Sequence, residues 1–301
     1  MNVLPEAETR AATRSAARGD LVMIDDGAAE AGGPPPVGAK GTRMDLKPQT
    51  WHYGLVSRWW AEFNEADPDE LAFYQRVIEQ AEQPALDLAC GTGRLLLPLL
   101  TAGFDVDGCD GSSDMLAHAR DLAQQEGLAP RLFQQLMHQL DLPRMYGVIF
   151  ICDSFGIGAS REDDAEALRR CYRHLLPGGV LVFSHDVPNL EQGSQDGLPE
   201  PWQPIEERKT ARNGDEVGLT SRLAELDPLQ QRLTMEIRAE LWRGGRLVAE
   251  EEGAIRINLY LVRELLHMLE AAGFAHTEVR AGYSEQSATA EDGFVVFIAR
   301  K

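Results

Sequence analysis

The stretch Asp87-Leu88-Ala89-Cys90-Gly91-Thr92-Gly93-Arg94 stands where a short apolar run gives way to a helical pattern. Glycines at such a turn let the backbone approach a ligand closely. Nineteen residues after Gly91, the segment Phe104-Asp105-Val106-Asp107-Gly108-Cys109-Asp110 ends in a carboxylate. An acid at the end of the second strand is placed to grip both hydroxyls of a ribose. Turn and acid together specify a nucleoside-binding crevice. The details narrow the nucleotide. A dinucleotide fingerprint calls for a third glycine where Leu96 stands, and no G-x-x-x-x-G-K-S/T sequence for an ATP phosphate loop occurs.

Other residue types that carry chemistry are sparse. Cys90, Cys109, Cys152 and Cys171 are widely spaced, with no C-x-x-C pair and no histidine cluster at zinc spacing, so no metal is expected. Cysteines used this way suit a reducing cytosol, and a cytoplasmic location is expected. His185 and Asp186, in Phe183-Ser184-His185-Asp186-Val187-Pro188, follow a predicted strand and would face the crevice in which open α/β sheets bind ligands.

The elements that must position these groups alternate. Strands are predicted at 84–89, 105–109, 131–135, 146–152 and 178–185, and helices at 92–102, 113–126 and 161–175. Alternation of this kind implies a mainly parallel sheet covered by helices. Ala85-Leu86-Asp87-Leu88-Ala89 and Gly147-Val148-Ile149-Phe150-Ile151 are the apolar runs expected of strands buried on both faces. Ahead of them, Trp51, Tyr53, Leu55, Val56, Trp59, Trp60 and Phe63 form an aromatic helical stripe, expected to pack on a core. Asp67-Pro68 then reads as the start of a second helix.

Between Pro188 and Ile257 the pattern changes to period two, clearest from Leu233 to Leu241. It predicts a meander of about three half-solvated antiparallel strands. A helix at 260–272 and strands at 274–283 and 293–300 complete the chain. Residues 1–44, rich in Ala, Gly, Pro and Arg, read as a disordered tail before a domain spanning 45–301.

Asp and Glu number 48 against 29 Lys and Arg, a formal charge of −19, with no concentrated basic patch. That balance repels a phosphate backbone, so neither nucleic acid nor an anionic membrane is an expected partner. No apolar run approaches the roughly 20 residues needed to span a bilayer.

Asp87-Leu-Ala-Cys-Gly-Thr-Gly93, followed by Val106-Asp-Gly-Cys-Asp110-Gly-Ser-Ser-Asp-Met115-Leu, resembles the class I S-adenosylmethionine-dependent methyltransferases. The resemblance covers roughly residues 50–301, including the Leu175-Leu-Pro-Gly-Gly-Val-Leu-Val182 entry to the fifth strand. It implies an α/β fold with a Rossmann-like seven-stranded sheet in order 3-2-1-4-5-7-6, ending in an antiparallel pair. By the same resemblance, residues 189–257 form an inserted antiparallel β cap over a small-molecule acceptor, and the cap strands offer a homodimer face as an alternative role.

Carried over residue by residue, the resemblance puts the methionine end of S-adenosylmethionine against Asp87, Ala89, Gly91 and Gly93. Asp110 holds the ribose, Gly111 and Met115 flank the adenine, and Asp153 lines the cleft with Cys152, Ser154 and Phe155. Leu136 stands where an acid commonly accepts the adenine amino group, which passes adenine recognition to backbone near Met137. A missing bond of this kind costs about 1 kcal/mol. Gly147 is a second departure from an acid, far from the methyl group.

The implied reaction is methyl transfer to a nitrogen or oxygen of a small molecule. Alternatives are a non-catalytic S-adenosylmethionine-binding protein and an NAD(P)-dependent oxidoreductase. A proton acceptor for the methyl acceptor would come from His185 or Tyr53, with Tyr260 and Tyr283 behind them.

Overall fold

The computed structural model of the chain describes residues 50, 52–81, 83–188, 197–205 and 207–301. The tail expected over 1–44 and the start of the expected cap at 189–196 lie outside them. In chain order the elements are α1 (Gly54–Phe63), α2 (Pro68–Gln80), β1 (Ala85–Leu88), α3 (Leu96–Thr101), β2 (Val106–Asp110), α4 (Ser113–Gln125), β3 (Leu132–Gln134), β4 (Tyr146–Ile151), α5 (Arg161–His174) and β5 (Leu175–Asp186). There follow β6 (Lys209–Thr210), β7 (Glu216–Asp227), β8 (Arg232–Arg243), β9 (Arg246–Asn258), α6 (Val262–Ala272), β10 (His276–Ala281) and β11 (Phe294–Arg300).

Seven strands form one sheet in order β3-β2-β1-β4-β5-β11-β10. β1 to β5 are parallel, and β11 enters antiparallel beside β5 with β10 at the edge. Counted within this sheet, that is the order 3-2-1-4-5-7-6. Side chains alternate between two cores, as a strand's period of two requires. Leu86, Leu88, Ile149, Ile151, Leu181 and Phe183 face α5 and α6, whereas Ala85, Val148, Phe150, Val180 and Val182 face α2 and α3. Both faces are dry, which is why these strands read as continuous apolar runs.

The second sheet is antiparallel, in order β6-β7-β8-β9. Met235, Ile237, Ala239 and Leu241 of β8 point to one buried face. The expected core for the aromatic stripe is this sheet: Leu55, Val56 and Trp59 of α1 pack on Val217, Ile237 and Ile255. Four strands replace the expected three, because the two-residue β6 carries too little pattern to be read.

Local chemistry fixes the helix starts. The Asp67 side chain accepts the Asp69 N–H, with Pro68 at the first helical position. Ser160 and Asp163 form a reciprocal capping box on α5. Two boundaries differ from expectation. α3 begins at Leu96 rather than 92, because the glycine turn takes up residues 91–95. β5 begins at Leu175, running through Pro177-Gly178-Gly179 with a register shift against β4 between Tyr146 and Val148.

One glycine in this frame is set by space. A Cβ on Gly108 of β2 would lie 2.7 Å from the side chains of both Leu132 and Leu96. Gly108→Ala is therefore expected to destabilise the fold by about 1–3 kcal/mol. The measurement is the urea midpoint, which should fall at unchanged slope; an unmoved midpoint would show slack between α3 and β3.

Candidate active site

At the carboxyl ends of β1, β2, β4 and β5, between the two sheets, lies a cavity of about 1560 Å³. Its floor begins with the turn after β1. Ala89 (φ +67°), Gly91 (φ +54°) and Gly93 (φ +90°) all take left-handed backbone. For Ala89 that conformation costs about 1 kcal/mol or more, which the Ala89 and Cys90 N–H bonds to the Cys109 carbonyl, at 2.7 and 3.1 Å, help to hold. The space above Gly91 is open, since a Cβ there would meet nothing within 4 Å. Gly93 does not line the cavity; its flank is covered by Leu97.

Asp110 ends β2 beside this turn. Its Oδ2 accepts the Gly91 N–H at 2.9 Å and its Oδ1 accepts the Ser112 N–H at 2.7 Å. A carboxylate offers about four acceptor sites, so two remain for a ligand. Burial raises its pKa and the two backbone bonds oppose that. Gly111 follows, with no room for a side chain: a Cβ would stand 2.6 Å from Leu136. Met115 is buried, Met137 is half-buried, and both line the cavity with Leu136.

Asp87 is 3% exposed on β1 and also lines the cavity. Burial pushes its carboxyl up to about 8; the Arg94 guanidinium pulls the other way, and Asp110 and Glu70 add to the rise. Arg94 itself is gripped by Glu70 of α2. Its Nη1 donates to Oε2 and its Nη2 donates to Oε1 at 3.0 Å. The Cys152 thiol and the Tyr283 hydroxyl donate to the same Oε1 at 2.7 and 2.8 Å, and Arg94 Nη2 also reaches Cys152 Sγ at 3.0 Å. Burial would raise the Glu70 pKa, yet Arg94 outweighs it and holds the carboxyl below its ordinary value. Glu70, Cys152 and Asp153 come within 4.8 Å of one another, a grouping of metal-ligand types, but Arg94 already occupies two of the three.

Beyond β4, Asp153 is held in left-handed backbone (φ +51°). Its N–H donates to Ser184 Oγ at 2.8 Å, and that hydroxyl donates back to Asp153 Oδ1 at 2.6 Å. Next to Ser184 on β5, His185 is 9% exposed, with Nε2 2.8 Å from the Tyr260 carbonyl. A carbonyl only accepts, so Nε2 carries the proton and Nδ1 keeps a lone pair. Burial lowers the His185 pKa, partly offset by the Tyr260 bond.

The entry segment closes the other end. Ser112 Oγ donates to the His52 carbonyl at 2.5 Å, Gly54 N–H to Asp114 Oδ2 at 2.9 Å and Leu55 N–H to Glu251 Oε2 of β9 at 2.7 Å. Tyr53, between them, lines the cavity; burial and the nearby Asp110 and Asp114 raise its pKa. Trp60 lines it too, and its buried indole N–H has no partner among the described residues.

Asp87, Ala89, Gly91, Asp110, Gly111, Met115, Met137, Asp153, Tyr53 and His185 thus share one cavity, and Gly93 supports the turn from outside it. Tyr260 and Tyr283 do not line it. The Tyr260 hydroxyl is bound to Asp164 at 2.8 Å, and Tyr283 serves Glu70. Sequence reasoning gave no role to Arg94, Glu70 or Ser184. Arg94 was the findable one, as a cation adjoining a ligand turn. Glu70 lies 24 residues upstream on another helix, with no spacing rule to join them.

Comparison with known proteins gives a match of residues 85–179 to the family model of the methyltransferase domain. The chain is 25% identical over 260 residues to a protein of Geobacillus sp. (strain WCH70) described as a methyltransferase, covering 83% of this chain and 99% of that protein. It is 31% identical over 153 residues to the glycine/sarcosine N-methyltransferase of Halorhodospira halochloris, covering 48% of this chain and 54% of that protein. Among solved structures, an S-adenosylmethionine-dependent methyltransferase from Clostridium acetobutylicum ATCC 824 superposes with a TM-score of 0.60 at 20% identity, covering 77% of this chain and 89% of that one. At that identity the likeness is one of fold.

Proposed function

We propose that the chain is a class I S-adenosylmethionine-dependent methyltransferase whose acceptor is a small molecule enclosed between the seven-stranded sheet and the antiparallel sheet β6–β9 that caps it. The observation that carries the proposal is the second wall of the cavity. Leu223, Leu226, Leu233, Ile255 and Ile257 of the cap line it opposite the glycine turn, and Trp60 of α1 adds an unpaired indole donor. An apolar wall facing a polar, acid-rich floor suits a small acceptor; a macromolecule would need an open surface.

The residues fit the cofactor on the floor. The open space over Gly91 lies beside a fixed ribose acid, and Tyr53 adjoins that acid from the entry segment. When bound, S-adenosylmethionine supplies the electrophilic methyl group as a sulfonium. The protein's part is alignment, exclusion of water and removal of a proton. Alignment falls to the turn, Asp110 and the Met115–Met137 slot; proton removal falls to His185 Nδ1, for a hydroxyl or an amine that must react unprotonated. We place the enzyme in the cytoplasm, where its four free cysteines stay reduced; no described helix is long and apolar enough to cross a membrane.

The test is product formation. Isotope-labelled S-adenosylmethionine is offered with pools of small amines and hydroxy compounds, and separately with peptides and tRNA. Label appearing in a small product is the expected result, and label confined to a macromolecule would overturn the proposal.

Asp87 gives a pH dependence. Burial pushes its carboxyl up to about 8, and the ammonium of the cofactor's methionine end would hold it ionised. Below pH 8 binding must therefore expel a proton, so affinity rises with pH by up to about tenfold per unit and levels off above 8. Calorimetry with S-adenosylhomocysteine in buffers of different ionisation enthalpy reads that proton directly. Asp87→Asn should remove the part of the slope due to the protein; an unchanged slope would assign it to the ligand's own amine.

A further inference from the structure

Asp164, in the first turn of α5, is a buried carboxylate whose described bonds come from neutral donors. Its Oδ2 accepts the Asn258 side-chain N–H at 2.7 Å and the Tyr260 hydroxyl at 2.8 Å. One oxygen thereby holds both ends of the segment Asn258-Leu259-Tyr260, which leads from the last cap strand, β9, into α6. Burial raises the Asp164 pKa, and the bonds from Asn258 and Tyr260 and the charge of Arg161 oppose the rise.

The same segment is tied down along its backbone. Asn258 N–H donates to the Gly156 carbonyl at 2.8 Å, Gly158 N–H donates to the Arg256 carbonyl at 2.7 Å, and Ile157 bridges to Ile257. Arg161 Nη1 donates to the Leu259 carbonyl at 3.2 Å, and its guanidinium lies 4.2 Å from the centre of the Tyr260 ring. That ring is fully buried, 5.8 Å from Phe155, so hydroxyl and backbone move as one body. At the backbone end, the Tyr260 carbonyl accepts His185 Nε2–H, and no other hydrogen bond to the His185 ring is found among the described residues.

We propose that Asp164 is a positioning residue for His185. By holding the Tyr260 hydroxyl it fixes where the Tyr260 carbonyl stands, and so the direction of the His185 Nδ1 lone pair. The proposal rests on His185 serving as the proton acceptor, as described above. Because the same oxygen holds Asn258, the last residue of the cap sheet, one buried group sets the acceptor wall and the base together. A buried polar network in which each donor is satisfied specifies one arrangement of its members, which is what a base that must meet its proton within hydrogen-bond reach requires.

The test measures single-turnover methyl transfer by the full chain, to the acceptor found by the labelling experiment. Asp164→Ala should lower the rate about ten- to hundredfold, the cost of misplacing a reacting group by about 1 Å, with S-adenosylhomocysteine affinity within about twofold. Asp164→Asn keeps an oxygen for both donors and should stay within about threefold of the wild type. Tyr260→Phe keeps the carbonyl and loses only the hydroxyl, so it should fall between the two. In a His185→Gln background there is no base left to aim, and Asp164→Ala should cost less than about twofold more. The full loss repeated in that background would overturn the assignment, since Asp164 would then act on the fold or on the acceptor directly. Histidine-selective NMR with labelled nitrogen reads the link with no acceptor present. Exchange of the His185 Nε2 proton with water should be at least about tenfold faster in Asp164→Ala and in Tyr260→Phe than in the wild type. Unchanged exchange in both variants would also overturn it, and Tyr260→Phe carries both measurements if Asp164→Ala does not fold. Faster exchange together with full activity in His185→Gln alone would instead remove the reading of His185 as the base.

Discussion

Replacing His185 with Gln is expected to lower kcat by about two to four orders of magnitude, the range over which a positioned proton acceptor contributes. Cofactor affinity should stay within about twofold, because the imidazole is anchored on the Tyr260 carbonyl at 2.8 Å and the Gln amide can repeat that bond. The anchor is what qualifies His185 for the task. It fixes the proton on Nε2, and burial keeps the ring neutral at pH 7 by lowering its pKa below 6.5. A base is active in its neutral form, so the rate at saturating cofactor should be flat from pH 7 upward and fall only on acidification past the lowered pKa. Gln can repeat the bond to Tyr260 but offers no basic nitrogen. Single-turnover methyl transfer to the acceptor found by the labelling experiment measures the effect. A loss under threefold would show that the acceptor arrives already deprotonated and that His185 only shapes the loop.

Asp110→Ala is expected to weaken S-adenosylhomocysteine binding by about a hundredfold or more, with the fold intact. On the proposed placement of the cofactor, two charge-assisted bonds to the ribose hydroxyls would be lost together, each contributing about 1.5–3 kcal/mol. The Gly91 and Ser112 N–H groups lose their acceptor at the same time, so the turn loosens as well. Asp110→Asn separates the two effects. An amide keeps one carbonyl oxygen for a backbone donor while its NH₂ opposes the other, so an intermediate loss is expected. Calorimetric titration, with circular dichroism to confirm the fold, checks both. Equal and small losses in the two variants would mean that the ribose is held by other groups.

Much of the frame was legible because each feature has a local cause. Apolar runs of four to six residues, Asp67-Pro68 and the glycine turn after β1 are read within one or two turns of chain, and the structure places them as expected. The position of Asp110 beside the turn was legible for the same reason, since parallel register puts Cys109 beside Leu88 and so brings Asp110 to Gly91. Elements with weak or no periodicity were missed, such as the two-residue β6 and the early start of β5 through Pro177 and two glycines.

The sequence by itself determined the α/β order of elements and the crevice at the turn after β1, because composition and short-range pattern fix burial and turn geometry. Tertiary structure alone decided which groups meet across long separations. It packed the aromatic helix on the cap sheet rather than on the main core. It turned Tyr260 from a candidate base into the carbonyl that sets the His185 tautomer, 75 residues away in the chain. It brought Glu70, Arg94, Cys152 and Tyr283 into one buried cluster spanning 213 residues of sequence. Such meetings depend on how helices and strands pack, and packing is governed by shape and volume summed over the whole core, which no spacing along the chain encodes.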